Sequence, residues 1–316
     1  MTEHKDPRRN RRRFLECMAW AGTGALWTVS GGIASSVSLD QAVAAATKHL
    51  GGVKPFTFVQ VSDSHIGFKK DPNPDARATF REAVAKINAL PEKPAFILHT
   101  GDVSQLSRDD EFDDADQILK ETGVIAFHVP GEHDMLDEGG GKAFLTRYGK
   151  DTKGDGWYSF DHSGVHFVGL ITVKDLQAGG MGHLGADQIA WLKADLASRA
   201  SSQPIVVFTH VPLWTVYQPW GWGVDDSDQA LALLRRFGSV TVLNGHIHQV
   251  IAKTEGDITF HTARSTAFPQ PAPGTPGASP GPLKAPADQL RSTLGIRTAT
   301  VVRGHDSLAL VDTTLA

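Results

Sequence analysis

From Phe56 to Val129 short β-branched runs alternate with amphipathic stretches, and that alternation narrows the possible folds more than any other feature of the chain. Residues 56–62 predict a buried strand, 75–90 a helix, 96–100 a strand, 109–122 a helix and 125–129 a strand. This order implies parallel strands joined by crossover helices. After a Gly-rich loop at Gly139-Gly140-Gly141, residues 158–161 and 165–172 flank Ser163-Gly164 and predict a hairpin. A helix over 185–198 has Ile189, Leu192 and Leu196 on one face and Trp191 beside them; a strand over 204–209, a helix over 226–236 and a strand over 240–244 continue the alternation. Two more hairpin-like pairs fall near 250–261 and 297–311. Parallel alternation giving way to hairpins predicts an α/β protein, a two-sheet mixed β-sandwich flanked by helices. A single domain over 47–316 is expected, with the Pro/Gly/Ala/Ser tract at 268–286 a solvated loop.

The amino terminus follows different rules. Arg8-Arg9-Asn10-Arg11-Arg12-Arg13-Phe14-Leu15 precedes a modestly apolar run from Met18 to about Val37, and Ala42-Val43-Ala44-Ala45-Ala46 comes next. Basic, apolar and small residues in that order predict a signal peptide over residues 1–46. Arg11-Arg12-Arg13-Phe14-Leu15 resembles the twin-arginine export motif, and Gly and Ser dilute the apolar run, which favours the same route. The expectations are passage through the twin-arginine export machinery and a periplasmic or secreted mature protein. The run is short and diluted for a membrane span, so no stable membrane anchor is expected. Glu16 also stands where a lipid anchor on Cys17 would want a small residue. Cys17 is the single cysteine, so a chain without residues 1–46 forms no disulfide. Net charge is −4, and losing the six Lys/Arg and four Asp/Glu of residues 1–46 makes it −6, which speaks against nucleic acid as a partner.

Metal-binding residue types concentrate in five blocks, each just after a predicted strand: Asp63-Ser64-His65, Gly101-Asp102, Gly131-Glu132-His133-Asp134, His210, and Gly245-His246-Ile247-His248. In open α/β sheets the loops at the carboxyl ends of strands converge on one crevice, which would gather these side chains. Carboxylate and imidazole suit Zn, Mn or Fe, and without thiolates a structural zinc or iron–sulfur site is disfavoured. Two ions about 3.5–4 Å apart activate water and stabilise an in-line displacement at phosphorus. Fourteen histidines make single matches cheap, but an ordered set placed after successive strands is not expected by chance.

The order Asp-x-His, Gly-Asp, Gly-x-His-Asp, His, Gly-His-x-His resembles the calcineurin-like metallophosphoesterase superfamily, from about Val53 to Val250. Tyr158-Ser159-Phe160 and Gln188-Ile189-Ala190-Trp191-Leu192 make it most similar to the bacterial cyclic-nucleotide-phosphodiesterase-like branch. The resemblance implies a four-layer αββα sandwich and hydrolysis of a small-molecule phosphate ester, diester or monoester, by a hydroxide held between two metal ions. It implies that Asp63, His65, Asp102 and His248 hold one ion and Asp102, Glu132, His210 and His246 the other. His133 matches the histidine beside the leaving group, able to protonate it or to stabilise phosphoryl charge, and Asp134 would orient His133 by taking its second N–H. Glu132 departs from the family, which usually has Asn there. If Glu132 reaches the ion, three carboxylates favour a more positive pair such as a ferric ion beside a divalent one. If it does not, the second ion is weakly held or missing. The alternative function is a metal-binding or sensing protein that keeps the fold and a metal site with reduced catalysis, Glu132 being the lesion. Gln105 stands where purple acid phosphatases would have a tyrosine, which disfavours that subfamily. Residues 211–222 carry four of the ten Trp and Tyr residues, a wall for the leaving group or a loop anchored in the core. His128 and His166 fit core or surface positions better than ligand positions, and Arg264 a solvated surface.

Overall fold

The computed structural model describes residues 25–30, 33–38, 55–174, 176, 179–302 and 308–316. Most of the segment expected to be a signal peptide, its arginine block included, lies outside the described residues. Within it, β1 (Ala25–Ser30) and β2 (Ile33–Ser38) pair antiparallel with each other and with no other strand. No helix among the described residues is long and apolar enough to cross a membrane.

The remaining elements run β3 (Phe56–Val61), α1 (Ala76–Asn88), β4 (Ile97–His99), α2 (Asp109–Lys120), β5 (Ala126–His128), α3 (Lys142–Tyr148), β6 (Tyr158–His162) and β7 (Val165–Gly169). They continue with α4 (Ala186–Leu196), β8 (Ile205–Phe208), α5 (Ser227–Leu234), β9 (Val240–Asn244), β10 (Ala252–Glu255), β11 (Ile258–Thr262), α6 (Leu290–Thr293), β12 (Gly295–Val301) and β13 (Ala309–Thr314). One sheet has the order β13-β12-β3-β4-β5, with β3, β4 and β5 parallel and β12 and β13 antiparallel to their neighbours. The other has the order β10-β11-β9-β8-β7-β6, parallel from β11 to β7 with an antiparallel strand at each edge. The architecture is therefore the predicted pair of mixed sheets flanked by helices.

Strand alternation builds the layers. On β3, Phe58 joins the buried cluster shared with Phe167, Phe208 and Phe260 of the six-stranded sheet, while Val59 and Val61 join the cluster of Phe80, Val84, Phe112 and Ile118 from α1 and α2. Helix α1 is amphipathic by spacing, with Phe80, Ala83, Val84 and Ile87 buried at i, i+3, i+4 and i+7, and Asp75 caps it by accepting from the Ala78 N–H at 3.0 Å. Leu192 and Leu196 of α4 and Leu231 and Leu234 of α5 belong to the cluster of the six-stranded sheet. Helix α3 was not predicted. At seven residues it shows too little periodicity to separate from the Gly-rich loop before it, and packing of Phe144 and Tyr148, one turn apart, near Phe112 sustains it. Residues 268–286 carry no helix or strand.

Candidate metal centre

Asp63 and His65 follow β3, Asp102 follows β4, Glu132 to Asp134 follow β5, His210 follows β8, and His246 and His248 follow β9. These are carboxyl ends of parallel strands from both sheets, and their loops meet at one crevice. Ligand-type atoms lie within 4.8 Å of one another in four overlapping groups: Asp63, His65 and His248; His65, Asp102 and His133; Glu132, His210 and His246; Asp63, Asp102 and His210. The seven residues expected as ligands thus share one nest with His133.

The main chain is bent to make this possible. Eight described residues other than glycine have positive φ, and five are Asp63 (53°), His65 (40°), Asp102 (52°), His246 (70°) and His248 (54°). The left-handed region costs an L-residue about 1–2 kcal/mol, and Asp and His are among the types that tolerate it best. Bonds between loops hold these turns: Asp63 N–H donates to Gly101 O at 3.0 Å and His65 N–H to Asp102 O at 2.9 Å. Two motif glycines are explained by closeness. A Cβ on Gly101, at φ 92°, would strike the His210 imidazole, and one on Gly131 would strike the Asp102 carboxylate.

Asp102 is central. Its Oδ2 lies 3.4 Å from Nε2 of both His65 and His210, and its Oδ1 accepts the His133 N–H at 2.9 Å. Asp63 Oδ1 lies 3.2 Å from His248 Nε2 and accepts the His246 N–H at 3.0 Å. The longer arm of Glu132 spans both imidazoles of its side, Oε2 at 2.9 Å from His210 Nε2 and Oε1 at 3.0 Å from His246 Nδ1. Backbone carbonyls set two tautomers: His210 Nδ1–H donates to Thr100 O at 2.7 Å and His248 Nδ1–H to Phe268 O at 2.6 Å. Each leaves Nε2 facing the nest, the orientation a metal ligand needs.

The fit to cations rests on atoms with nothing else to bind. Asp63 Oδ2, Glu132 Oε2, His210 Nε2 and His246 Nδ1 are buried without a directed hydrogen bond, in a protein interior where such groups are normally paired. Burial alone would push the Asp63 and Glu132 carboxyls up, yet the surrounding histidines hold both well below the carboxylate range. Burial lowers His65 to about 3, only partly opposed by Asp102, so that imidazole is a neutral donor. At His210 burial is outweighed by Asp102 and Glu132, which raise it well above the usual range. Two carboxylates that raise the proton affinity of a buried histidine, with Asp63 beside them, are a set that accepts positive charge in its place.

Asp134 does not have the role expected of it. Its carboxylate accepts the N–H groups of Val103, Ser104 and Gly131 at 2.8–3.0 Å and the Ser104 hydroxyl at 2.8 Å, which leaves it turned away from the His133 ring. It ties the loop after β4 to the loop after β5, and burial together with the charge on Asp102 raises its pKa to about 6. His133 is oriented by Gln105, whose backbone carbonyl accepts the Nδ1–H at 2.8 Å. Burial works against charging that ring, but Asp102, Glu132 and the Gln105 carbonyl raise its pKa overall. The result is an imidazole whose Nε2 is left for proton donation.

Gln105 and Phe268 are the residues sequence reasoning missed. Gln105 stands where the purple acid phosphatases would have a tyrosine, and it meets His133 Nδ1 through its backbone carbonyl, which residue type does not advertise, and also through its side-chain Nε2 at 3.1 Å. Phe268 stood at the edge of a presumed loop; a large aromatic opening a Pro/Gly tract was the one available signal. Of the other histidines, His128 stacks on Tyr148 at 4.1 Å, and His166 is buried between Asp161 and Asp195 at 3.0 and 2.7 Å, as structural positions require. Arg264 is half-buried and donates to Thr293 O at 3.1 Å. In the aromatic segment Trp214 and Trp222 are buried, whereas Tyr217 and Trp220 are half-buried and meet edge to face at 5.2 Å.

A two-sheet sandwich with a carboxylate–histidine nest at the carboxyl ends of its parallel strands defines an α/β protein with a candidate metal centre. Residues 56–250 match the family described as calcineurin-like phosphoesterase, and the chain belongs to that family of metal-dependent phosphoester hydrolases. It is 27% identical over 209 residues to the glycerophosphodiester phosphodiesterase GpdQ of Enterobacter lignolyticus, covering 62% of this chain and 71% of the relative. It is 23% identical over 224 residues to a 3',5'-cyclic-nucleotide phosphodiesterase of Nostoc sp., covering 68% and 79%. Among solved structures, a dimetal phosphatase from Danio rerio superposes with a TM-score of 0.62 at 16% identity, over 83% of this chain and 96% of that one, a likeness of fold.

Proposed function

We propose that the chain is a dinuclear phosphoesterase acting on a phosphodiester or phosphomonoester. The observation that carries this reading is the position of Asp102, one carboxylate oxygen equidistant at 3.4 Å from histidines on either side. Asp63, His65, Asp102 and His248 would hold one ion, and Asp102, Glu132, His210 and His246 the other, with Fe, Mn or Zn the metals that suit this donor set. When bound, such a pair supplies hydroxide at neutral pH and neutralises charge on phosphoryl oxygens. His133, held by Gln105 and with its pKa raised by its acidic neighbours, is placed to donate a proton to the leaving oxygen. That intact acid favours an enzyme over a metal-binding sensor. The diesterases among the relatives support phosphodiester substrates.

The arginine block before Phe14 supports export by the twin-arginine route, and an exported enzyme would meet scavenged nucleotides, lipid head groups or wall phosphodiesters instead of the cytoplasmic cyclic nucleotide pool. Purified protein supplied with Mn, Zn or Fe is expected to hydrolyse bis-p-nitrophenyl phosphate or p-nitrophenyl phosphate. Two ions per chain by elemental analysis with no turnover of either ester would return the reading to the sensor.

A further inference from the structure

Ser265-Thr266-Ala267-Phe268-Pro269-Gln270 has no regular secondary structure, yet its first five residues are buried. Its bonds run to the ligand residues. Ser265 Oγ donates to Asp63 O at 2.7 Å while accepting the N–H groups of Ala267 at 2.8 Å and Phe268 at 3.1 Å. The Phe268 carbonyl takes the His248 Nδ1–H, and Gln270 Nε2 donates to His246 O at 2.7 Å. From the opposite side Asn73 Nδ2 secures Ala267 O at 2.8 Å. The segment is a strap laid across ligand loops from both sheets.

The ring of Phe268 has a more specific place in it. Its centroid lies 4.6 Å from that of His65, 4.7 Å from that of His248 and 4.5 Å from that of Phe68. A metal-bound histidine almost always has its other ring nitrogen tied to a carbonyl or carboxylate, which fixes the angle of the imidazole. His248 has that tie. His65 does not: its Nδ1 is buried with no hydrogen-bond partner, so packing against Phe268, with His133 at 4.8 Å on another side, restrains the ring beyond the contacts of its Nε2 with His248 at 3.3 Å and Asp102 at 3.4 Å.

We propose that Phe268 is a positioning residue, replacing with ring packing the hydrogen bond that His65 lacks and thereby setting the metal affinity of the Asp63, His65 and His248 half of the site. The inference rests on the metal-dependent reading above. Substitution at 268 leaves the backbone carbonyl in place for His248, so the ring is tested alone.

Metal-stripped wild type, F268A and F268L are titrated with Mn²⁺ by calorimetry. F268A weakens one of two binding events by about 10–100-fold, the span for lost support of a ligand, and leaves the other within about threefold. F268L, which keeps apolar bulk, loses less, at least about threefold, so the test does not depend on the alanine variant folding. In an H246A background, which disables the other half, the F268L loss persists. The proposal is overturned if both variants keep wild-type affinity at both sites, or if both sites weaken equally with no difference between Leu and Ala. Wild type that takes up none of Mn²⁺, Zn²⁺ and Fe²⁺ removes this proposal together with the proposed function, and if only Zn²⁺ or Fe²⁺ binds, the same titrations are read with that ion. Wild type that binds two ions, shows the selective loss, and hydrolyses no ester removes the proposed catalysis and leaves Phe268 its role.

Discussion

Asp63, His65 and His248 lie beneath the Phe268 strap with side chains at most 2% exposed, whereas Glu132 and His246, across the shared Asp102, are 29% and 12% exposed. The covered half is assembled by packing and main-chain bonds. In the other half Glu132 reaches two imidazoles at once, beside a His210 that is fully buried and tied to the Thr100 carbonyl. The difference separates a half closed to solvent from a half that solvent reaches at Glu132 and His246.

Removing what the halves share abolishes the distinction, so D102A has the largest effect. Ester hydrolysis is expected to fall by about 10⁴-fold or more, with metal content by elemental analysis below one ion per chain. The next variant leaves both halves standing. H133A should retain two ions while turnover drops by about 10²–10⁴, the span for a lost general acid; loss of metal in this variant would show that His133 serves the nest and not the chemistry. E132N acts on the open half alone, and Mn²⁺ titration should show one site weakened by about 10-fold or more with the covered site unchanged. Equal weakening of both would mean that the halves are one unit.

The smallest effect lies outside the nest and separates scaffold from site. Burial holds His128 down to about 4, against the milder pull of Asp116. Above pH 6.5 the ring is neutral folded and unfolded; as pH falls from about 6.5 to about 4 the unfolded chain takes the proton first, and stability is lost across that window. Full titration of this one group is worth about 3 kcal/mol. H128F, which keeps a ring against Tyr148, should flatten the pH dependence seen in urea unfolding between pH 7.5 and 5. An unaltered slope would place acid sensitivity elsewhere, in the nest first of all.

Legibility followed the same division. The strands and long helices could be read because burial imposes periods of two and 3.6 on their side chains, as Phe58 against Val59 on β3 and the Phe80 to Ile87 stripe on α1 illustrate. Helix α3 was too short to declare a period. The ligand types were legible because each block followed a strand end. What supports them was not: Gln105 works in part through a carbonyl, Phe268 through contacts across about two hundred residues of chain, and Asp134 resembled a catalytic partner when its bonds are to main-chain N–H groups and the Ser104 hydroxyl. A side chain's identity states what it can bind and leaves open which neighbour it meets.

The left-handed turns at Asp63, His65, Asp102, His246 and His248 bear on any attempt to move this centre elsewhere. Transplanting seven side chains onto a sandwich with ordinary extended loops would aim them at the wrong points in space, because the aim originates in the main chain. Redesign that swaps one ligand for a β-branched residue meets the same obstacle, since the curled backbone rejects it before any ion is offered. The portable unit is the set of kinked turns with the glycines beside them.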